Sequence, residues 1–374
     1  MVKPNILIFA NSDLRFDQRL IRISRSLSRH GYKPRLQGRT FPKSPALVEE
    51  PFFQDRVKLI FQKGKAAYLE LNLRFLFHGL FQPADAIVSV DLDTLPAAWL
   101  VSLLRNKPLI HDAHEYMEEV PEVYNRPFTK AIWYWIGRLL LPRVKLAYTV
   151  SQTLTQLLQN RYGIPFHLVP NMAEQESEPI SLDGWEGHKG YWVFLGAVNQ
   201  GRGLEEFIPL LKEQERPLLV LGDGDKMEDI RNLVRELGLG SKVWLPGKLP
   251  PKEAASFLRH AWAGINLLRD EGLSYRYSLA NKFFDYVHAG IPQICIRFPE
   301  YEARFDEFQP GVLCDLTPDS IKDAMDTISI PENQAFFRNQ AQLASGVWNW
   351  ETEETKLIQL YDALLRPEAK ALGQ

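Results

Sequence analysis

Short apolar runs bounded by turn residues alternate with longer helical patterns along this chain of 374 residues, and the alternation runs through it twice. Successive parallel strands need a crossover of a dozen or more residues between them, so this rhythm restricts the chain to repeated βα units around parallel sheets. In the first half the strands are read at 6–10, 33–37, 57–60, 86–90, 109–112, 146–150 and 167–169, with a helix at 18–30 that places Leu20, Ile23 and Leu27 on one face and is closed by Gly31. Residues 172–188 are rich in Glu, Ser, Pro and Gly and carry little periodicity, as an interdomain linker does. The alternation then restarts, with strands at 191–195, 218–221, 243–245, 263–267 and 293–296 and helices at 204–211, 226–237, 251–260 and 278–292. A last amphipathic helix is read at 350–365, anchored by Trp348 and Trp350.

The expected product is an α/β chain of two Rossmann-like, doubly wound domains facing across a cleft: 1–171, a linker at 172–188, 189–345, and a C-terminal helix within 346–374 crossing back to the first domain. Length and composition suit this, since 45% hydrophobic and 24% charged residues describe an ordinary globular chain long enough for two cores. The two cysteines, Cys295 and Cys314, lack metal-ligand spacing, which points to a reducing compartment, and the run at 6–10 reads as a strand rather than a secretion signal. Cytoplasm is the expected location, at the inner face of the membrane if the chain touches one.

Charge is unevenly spread. Through residue 170 there are 23 Lys and Arg against 14 Asp and Glu, and beyond it 21 against 32. A basic first half suits an anionic partner, either a membrane surface or an acidic acceptor, and equally suits attraction to the acidic second half. Lys63, Lys65 and Arg74 interleaved with Tyr68, Leu71, Phe75 and Phe77 are compatible with peripheral membrane contact or with a buried helix whose lysines reach outward.

In open parallel sheets ligands bind beyond the carboxyl ends of the strands, so the loops there carry the candidate chemistry. They supply Asn11, Asp13, Asp17 and Arg19; then Asp91 and Asp93; then His111, Asp112, His114 and Glu115; and, in the second half, the loop from Gly196 through Asn199 and Arg202 to Gly203. The three glycines of that last loop let backbone approach a ligand closely, and a guanidinium suits phosphate oxygens. An ion pair to Glu205 or Glu206 is the plainer reading of Arg202. The helix at 278–292, capped by Ser278 or Asn281, offers an anion its N-terminal N–H groups and places Asp285 one turn inside. The turn Gly222-Asp223-Gly224 lacks the third spaced glycine of a dinucleotide fingerprint. The HDAHE run sits at a strand end rather than on a helix face, so it lacks the spacing of zinc-binding histidines, and no metal site or cofactor is expected.

Taken in order, RFDQR, DLDTLP, HDAHE, VPN, FLGAVNQGRGLEEFI, LLVLGDGD, KVWLPGKLP and NKFFDYVHAGIP resemble the family 4 glycosyltransferases of GT-B fold. The resemblance implies a retaining hexosyl-type transfer from a nucleoside-diphosphate sugar to a glycan or lipid-linked acceptor in polysaccharide biosynthesis, without a catalytic metal or cofactor. It implies that Arg202 and Lys282 hold the diphosphate and that His114 lies near the reacting sugar. The donor would lie against Gly196, Asn199, Gly203, Gly222, Lys248, Leu249, Glu271, the helix start at Ser278, Leu279, Ala280 and Asn281, and Asp285 at the ribose. Asp13, Asp17, Arg19, Asp91, Asp93 and Glu115 would line the acceptor side. Two positions depart from the family pattern: Tyr277 stands where the first of two acidic residues is expected, and Ala197 where an arginine often follows the first glycine. Two rivals therefore stand beside the transferase, a nucleotide-sugar 2-epimerase using Asp91, Asp93, His114 and Glu115 for proton removal, and a non-catalytic nucleotide- or glycan-binding paralogue.

Overall fold

The computed structural model describes residues 3–120, 123, 125–172 and 190–367, so the linker expected at 172–188 lies outside the described residues except for Met172. The chain divides into two compact units, Met1–Asn171 with Glu353–Gln374, and Met172–Thr352.

The first unit runs β1 (Asn5–Phe9), α1 (Gln18–Arg29), β2 (Lys33–Thr40), β3 (Phe53–Lys58), α2 (Gly64–Phe81), β4 (Ala86–Val90), α3 (Asp91–Arg105), β5 (Leu109–Ala113), α4 (Pro127–Leu140), β6 (Leu146–Thr149), α5 (Gln152–Tyr162) and β7 (His167–Leu168). Its seven strands are all parallel in the order β3-β2-β1-β4-β5-β6-β7. The order reverses between β1 and β4, so the loops after those two strands diverge and leave a crevice at their carboxyl ends. Helix α1 starts where Asp17 Oδ1 accepts the Leu20 N–H at 3.1 Å, and ends at Gly31 with φ of 79°. Its Leu20, Ile23 and Leu27 are buried as the periodicity predicts. Phe9 of β1 stacks on Phe75 of α2 at 4.8 Å, so Phe75 and Leu71 belong to the core rather than to a surface.

The second unit runs β8 (Trp192–Leu195), α6 (Leu204–Phe207), β9 (Leu218–Leu221), α7 (Met227–Glu236), β10 (Val243–Gly247), α8 (Pro251–His260), β11 (Ala263–Asn266), α9 (Leu273–Arg276), α10 (Asn281–His288), β12 (Gln293–Ile296), α11 (Pro299–Glu307), β13 (Gly311–Cys314), α12 (Pro318–Ser329) and α13 (Pro331–Val347). Its parallel sheet has the order β10-β9-β8-β11-β12-β13, again reversing beside the first strand. Successive residues of β8 serve opposite faces: Trp192 and Phe194 pack with Phe207 and Ile208, while Val193 packs with Phe257 and Tyr286. A sheet covered on both sides needs apolar residues at every position, which is why these strands read as continuous apolar runs. Helix α14 (Trp350–Leu365) follows, and from Glu353 onward its residues belong to the first unit, where Tyr361 and Tyr148 meet through their hydroxyls at 3.1 Å.

The structure corrects several boundaries. The segment from Asp91 to Thr94 is the first turn of α3, not a loop. The helix read at 278–292 is shorter, because residues 278–280 precede it and Ala280, extended at φ −66° and ψ 141°, is its cap. Helix 204–211 stops after one turn at Phe207 and tightens into a 3₁₀ segment where Pro209 enters. Edge strand β3 begins at Phe53 rather than 57 because its FQDRVK sequence is polar, as exposed edges are. Strand β13 and helices α11 to α13 went unread, their four-residue or mixed-polarity patterns being too weak. Among the described residues no helix is long and apolar enough to cross a membrane.

Candidate active site

In the second unit the candidate site is built by the loops after β8 and β11 with the start of α10. The loops are tied by backbone: Arg269 N–H donates to the Gly201 carbonyl at 2.8 Å, and Val198 N–H to that of Asp223 at 3.1 Å. Gly222 is required by this packing, since a Cβ there would lie 1.8 Å from the Gly196 carbonyl oxygen. A Cβ on Gly203 would meet Leu267 Cβ at 2.3 Å. These two glycines therefore let loop approach loop. Gly196 differs, with φ of 127° and its open side toward Lys282, whose Cε would lie 3.7 Å from a Cβ.

Arg202 and Lys282 are the centre of the arrangement. The Arg202 guanidinium lies 4.8 Å from the Tyr275 ring, and Lys282 Nζ lies 3.6 Å over the Phe194 ring. Arg202 Nε and Lys282 Nζ are both enclosed without a hydrogen-bond partner. The ion pair expected as the plain reading of Arg202 does not form. Arg269 takes Glu206 instead at 2.6 Å, a residue the sequence reading passed over. Burial lowers the Lys282 pKa well below the usual amine range, and the nearby Arg202 charge lowers it further against weaker opposing contributions from Cys295 and Asp285. A guanidinium beside a buried amine on an aromatic face, with no carboxylate bound to either, is an arrangement that an anion would complement, its charge favouring protonation of the amine.

The other donor-side candidates divide. Glu271 is half-buried beside Gly201 and accepts from Gln200 Nε2 at 3.1 Å, and Asp285 is half-buried in α10. Lys248 is exposed and Leu249 half-buried after β10, the latter against the core that includes Phe257. Several of these residues are engaged within the fold, and the expected cap of α10 is corrected. Leu279 packs into the apolar core with Phe283 and Tyr301, so its side chain is unavailable. Neither Ser278 nor Asn281 caps α10: the Ser278 hydroxyl donates to the Tyr275 carbonyl at 2.8 Å, and Ala280 N–H donates to the Tyr301 hydroxyl at 3.1 Å. Asn199 Oδ1 accepts the Asp225 N–H at 3.2 Å. Tyr275, Phe194 and Arg269 are the site residues that sequence reasoning missed. Only Phe194 carried a signal, as the strand residue two before Gly196.

The first unit gathers its polar candidates at the carboxyl ends of β1, β4 and β5. Here Arg19 is corrected outright, because its side chain is 2% exposed, paired with Asp112 at 2.9 Å and donating to the Val169 carbonyl at 2.9 Å. Asp17 is committed to capping α1 and to the Ser12 hydroxyl at 2.7 Å. Asp13 binds Arg56 at 2.8 Å. His114 Nε2 lies 3.0 Å from Asp112, and although burial opposes its charging, the Asp112 and Asp91 carboxylates push its pKa up to about 9. Asp112 itself is driven up by burial but more strongly down by Arg19 and His114, ending well below the usual carboxylate range. His111 is kept neutral chiefly by burial, at about 4, and meets the Ser89 hydroxyl at 2.8 Å.

Asp91 and Asp93 are left nearer to action. Asp91 has φ of 56°, strained for a residue with a Cβ, and accepts the His114 and Glu115 N–H groups at 2.8 and 3.2 Å. Burial raises it to about 7, and raises Asp93, which accepts from Asn11 at 2.8 Å, to about 6. Glu115 is exposed. Among the described residues no group of three or more His, Cys, Asp or Glu is arranged to hold a metal ion.

Comparison with known proteins places these observations. Residues 18–176 match the model of Glycosyltransferase Family 4, a span within the first unit and its exit. No curated protein matches the chain in sequence. Among solved structures, the sucrose-phosphate synthase of Thermosynechococcus elongatus superposes with a TM-score of 0.78 at 15% identity, over 97% of this chain and 99% of that one. HepE of Anabaena, in complex with UDP and glucose, gives 0.78 at 12% identity over 96% and 100%. WaaG, a glycosyltransferase involved in lipopolysaccharide biosynthesis, gives 0.71 at 14% over 94% and 98%. With its two Rossmann-like sheets the chain has the GT-B fold, and over residues 18–176 it is similar to the glycosyltransferases of family 4.

Proposed function

We propose that the chain transfers a sugar from a uridine-diphosphate sugar to a glycan or lipid-linked acceptor, with retention of anomeric configuration and without a catalytic metal. The observation that carries the donor half is the pair Arg202 and Lys282, a half-buried guanidinium and a buried amine that lack a carboxylate partner and whose enclosed Nε and Nζ make no hydrogen bond, at the point where the sheet order reverses. Uridine is preferred because HepE, similar over nearly its whole length, was solved with UDP and glucose.

The chemistry follows from charge. As the bond between sugar C1 and the diphosphate oxygen breaks, negative charge grows on the leaving phosphate, and fixed cations there lower the barrier more than they favour the ground state. Arg202 supplies a permanent charge, and Lys282 gains a proton when an anion replaces its apolar surroundings. The acceptor oxygen forms the new bond to C1 on the face the diphosphate leaves, and its proton passes to the departing diphosphate oxygen. In this reading Asp285 accepts from the ribose and Glu271 meets the sugar. Tyr277 and Ala197 do not deprive the site of cations, which favours an active enzyme over a binding-only paralogue. Of the four residues an epimerase would use, His114 is engaged with Asp112, while Asp91 and Asp93 keep that rival open to the acceptor-free assay below.

Thermal unfolding with UDP, GDP, ADP and dTDP in turn tests this reading. UDP at 100 times its dissociation constant should stabilise by about 2.7 kcal/mol. Indifference to all four overturns the donor assignment. Conversion of the donor sugar in the absence of any acceptor would favour the epimerase.

A further inference from the structure

A second surface, in the first unit, carries a different message. Helix α2 buries Ala67, Leu71, Phe75 and Gly79 against the core, and at the same four-residue spacing, on the opposite side, it exposes Leu69, Leu73, Phe77 and Phe81. Phe77 is 68% and Phe81 76% exposed. Helix α4 repeats the arrangement, burying Trp133 and Gly137 while exposing Phe128, Trp135 and Leu139. The two helices touch: Lys65 Nζ at the start of α2 lies 4.4 Å from the Phe128 ring, and Tyr68 meets Trp133 edge-on at 5.4 Å. Beside them, an open apolar groove of about 540 Å³ runs between Pro96 of α3 and Ile132, Trp135 and Ile136 of α4. Water-facing stripes of this size on adjacent helices are costly unless something covers them.

Charge identifies the cover. From Arg126 to Lys145 the chain has five cations, Arg126, Lys130, Arg138, Arg143 and Lys145, and no Asp or Glu. Arg126, Arg138, Arg143 and Lys145 are exposed, as are Lys63 and Lys65 at the start of α2. Protein interfaces tend to be depleted of lysine and of charge at their apolar centres, whereas Phe, Trp and Leu rimmed by Lys and Arg is the composition of a helix lying in the headgroup layer of an anionic bilayer. Trp135 and Tyr134 are the residue types that settle at that boundary. We propose that α4 and the outer stripe of α2 form a docking face for an anionic lipid bilayer. The proposal replaces the patch expected from sequence, since Leu71 and Phe75 face inward and Arg74 is paired with Glu70 at 2.7 Å. It does not depend on the donor assignment.

Sedimentation with vesicles of phosphatidylcholine, alone or with about 30 mol% phosphatidylglycerol, tests it. The full chain should pellet with the anionic vesicles and stay in solution with the neutral ones, and about 0.5 M salt should release much of it. Arg138→Glu with Arg143→Glu should weaken partitioning at least about tenfold. Trp135→Glu with Leu139→Glu should do the same, and because these side chains are exposed the thermal midpoint should hold. Should that pair misfold, Leu73→Ser with Phe77→Ser on α2 makes the same test. Failure to pellet with anionic vesicles overturns the proposal, and so does binding that survives both apolar pairs. A wild-type dimer in light scattering that Trp135→Glu with Leu139→Glu turns into a monomer would overturn it too, assigning the face to a second copy of the chain.

Discussion

The two units share a topology, a parallel sheet whose order reverses beside its first strand, yet they treat charge at the strand ends in opposite ways. In the first unit Arg19, Asp112 and His114 satisfy one another in a closed network, with Arg19 also bound to the Val169 carbonyl. In the second, Arg202 and Lys282 rest on aromatic rings with enclosed nitrogens unpaired. A closed network returns the desolvation cost of its charges within the fold, while an open one leaves that cost outstanding until an anion arrives. On the proposed reading, the first holds a structure and the second awaits a ligand.

Exchanging the two arginines breaks the comparison most directly. Arg19→Ala leaves the Asp112 charge buried and without its main partner, so the chain should lose about 3 to 5 kcal/mol of stability in a urea titration. Arg202→Ala should leave the urea midpoint nearly unchanged and lower kcat/KM for the UDP-sugar by about a hundredfold or more, the scale seen when a charge-stabilising donor is removed. If Arg202→Ala unfolds the protein, or Arg19→Ala costs only activity, the division between fold-holding and ligand-holding charge is wrong.

Lys282 sharpens the same contrast. Removing an unpartnered buried amine while keeping its packing should stabilise the free protein, so Lys282→Met should raise stability by about 1 to 2 kcal/mol. The same change should weaken UDP binding about tenfold or more, as a charge-assisted hydrogen bond is lost. Burial and Arg202 depress the Lys282 pKa in the free protein, so on the proposed reading the arrival of the diphosphate favours uptake of a proton by the amine. UDP affinity should therefore fall as pH rises from the depressed pKa toward the ordinary amine range, and Lys282→Met should remove that slope. Calorimetry in two buffers of different ionisation enthalpy reads the proton directly. Equal affinities across pH in the wild type would show the amine already charged.

What the sequence disclosed follows from how local each feature is. Eleven-residue and longer periodic helices such as α1, and apolar strands covered on both faces such as β8, declare themselves because their burial is set by the repeat itself. Arg202 and Lys282 were legible as cations next to glycine and at a helix start. Their lack of partners was not, because it depends on Arg269 capturing Glu206 across 63 positions of sequence. The role of Gly222 was equally hidden, since its neighbour is the carbonyl of Gly196, in another loop. Arg19 misled for the same reason: from sequence it stands beside a loop rich in acids, and only the fold carries Asp112 to it. Contacts between loops at strand ends are the part of such a fold that no periodicity announces.

The smallest expected effect concerns how the closed network limits stability with pH. His114 titrates at about 9 in the folded chain against about 6.5 unfolded, so the stability it contributes is whole below about 6.5 and is lost as pH rises through about 9. His111 behaves in reverse: held neutral to about 4, it costs stability as pH falls from about 6.5, where the unfolded chain takes the proton first. Asp112, kept ionised by Arg19, adds a further loss at lower pH, below the unfolded carboxylate value. Asp91 and Asp93, raised to about 7 and about 6, withdraw stability of their own as pH rises from the unfolded carboxylate value through neutrality, so the limb that belongs to His114 is the one above about pH 7.5. Since that side chain is one-fifth exposed and coupled to Asp112, the limb should amount to about 1 to 2 kcal/mol between pH 7.5 and 9.5. His114→Asn should flatten it while leaving the acid limb in place, read as urea midpoints at the two pH values. An unchanged alkaline limb in that variant would mean that His114 is neutral in the fold, and that Asp112 is held by Arg19 alone.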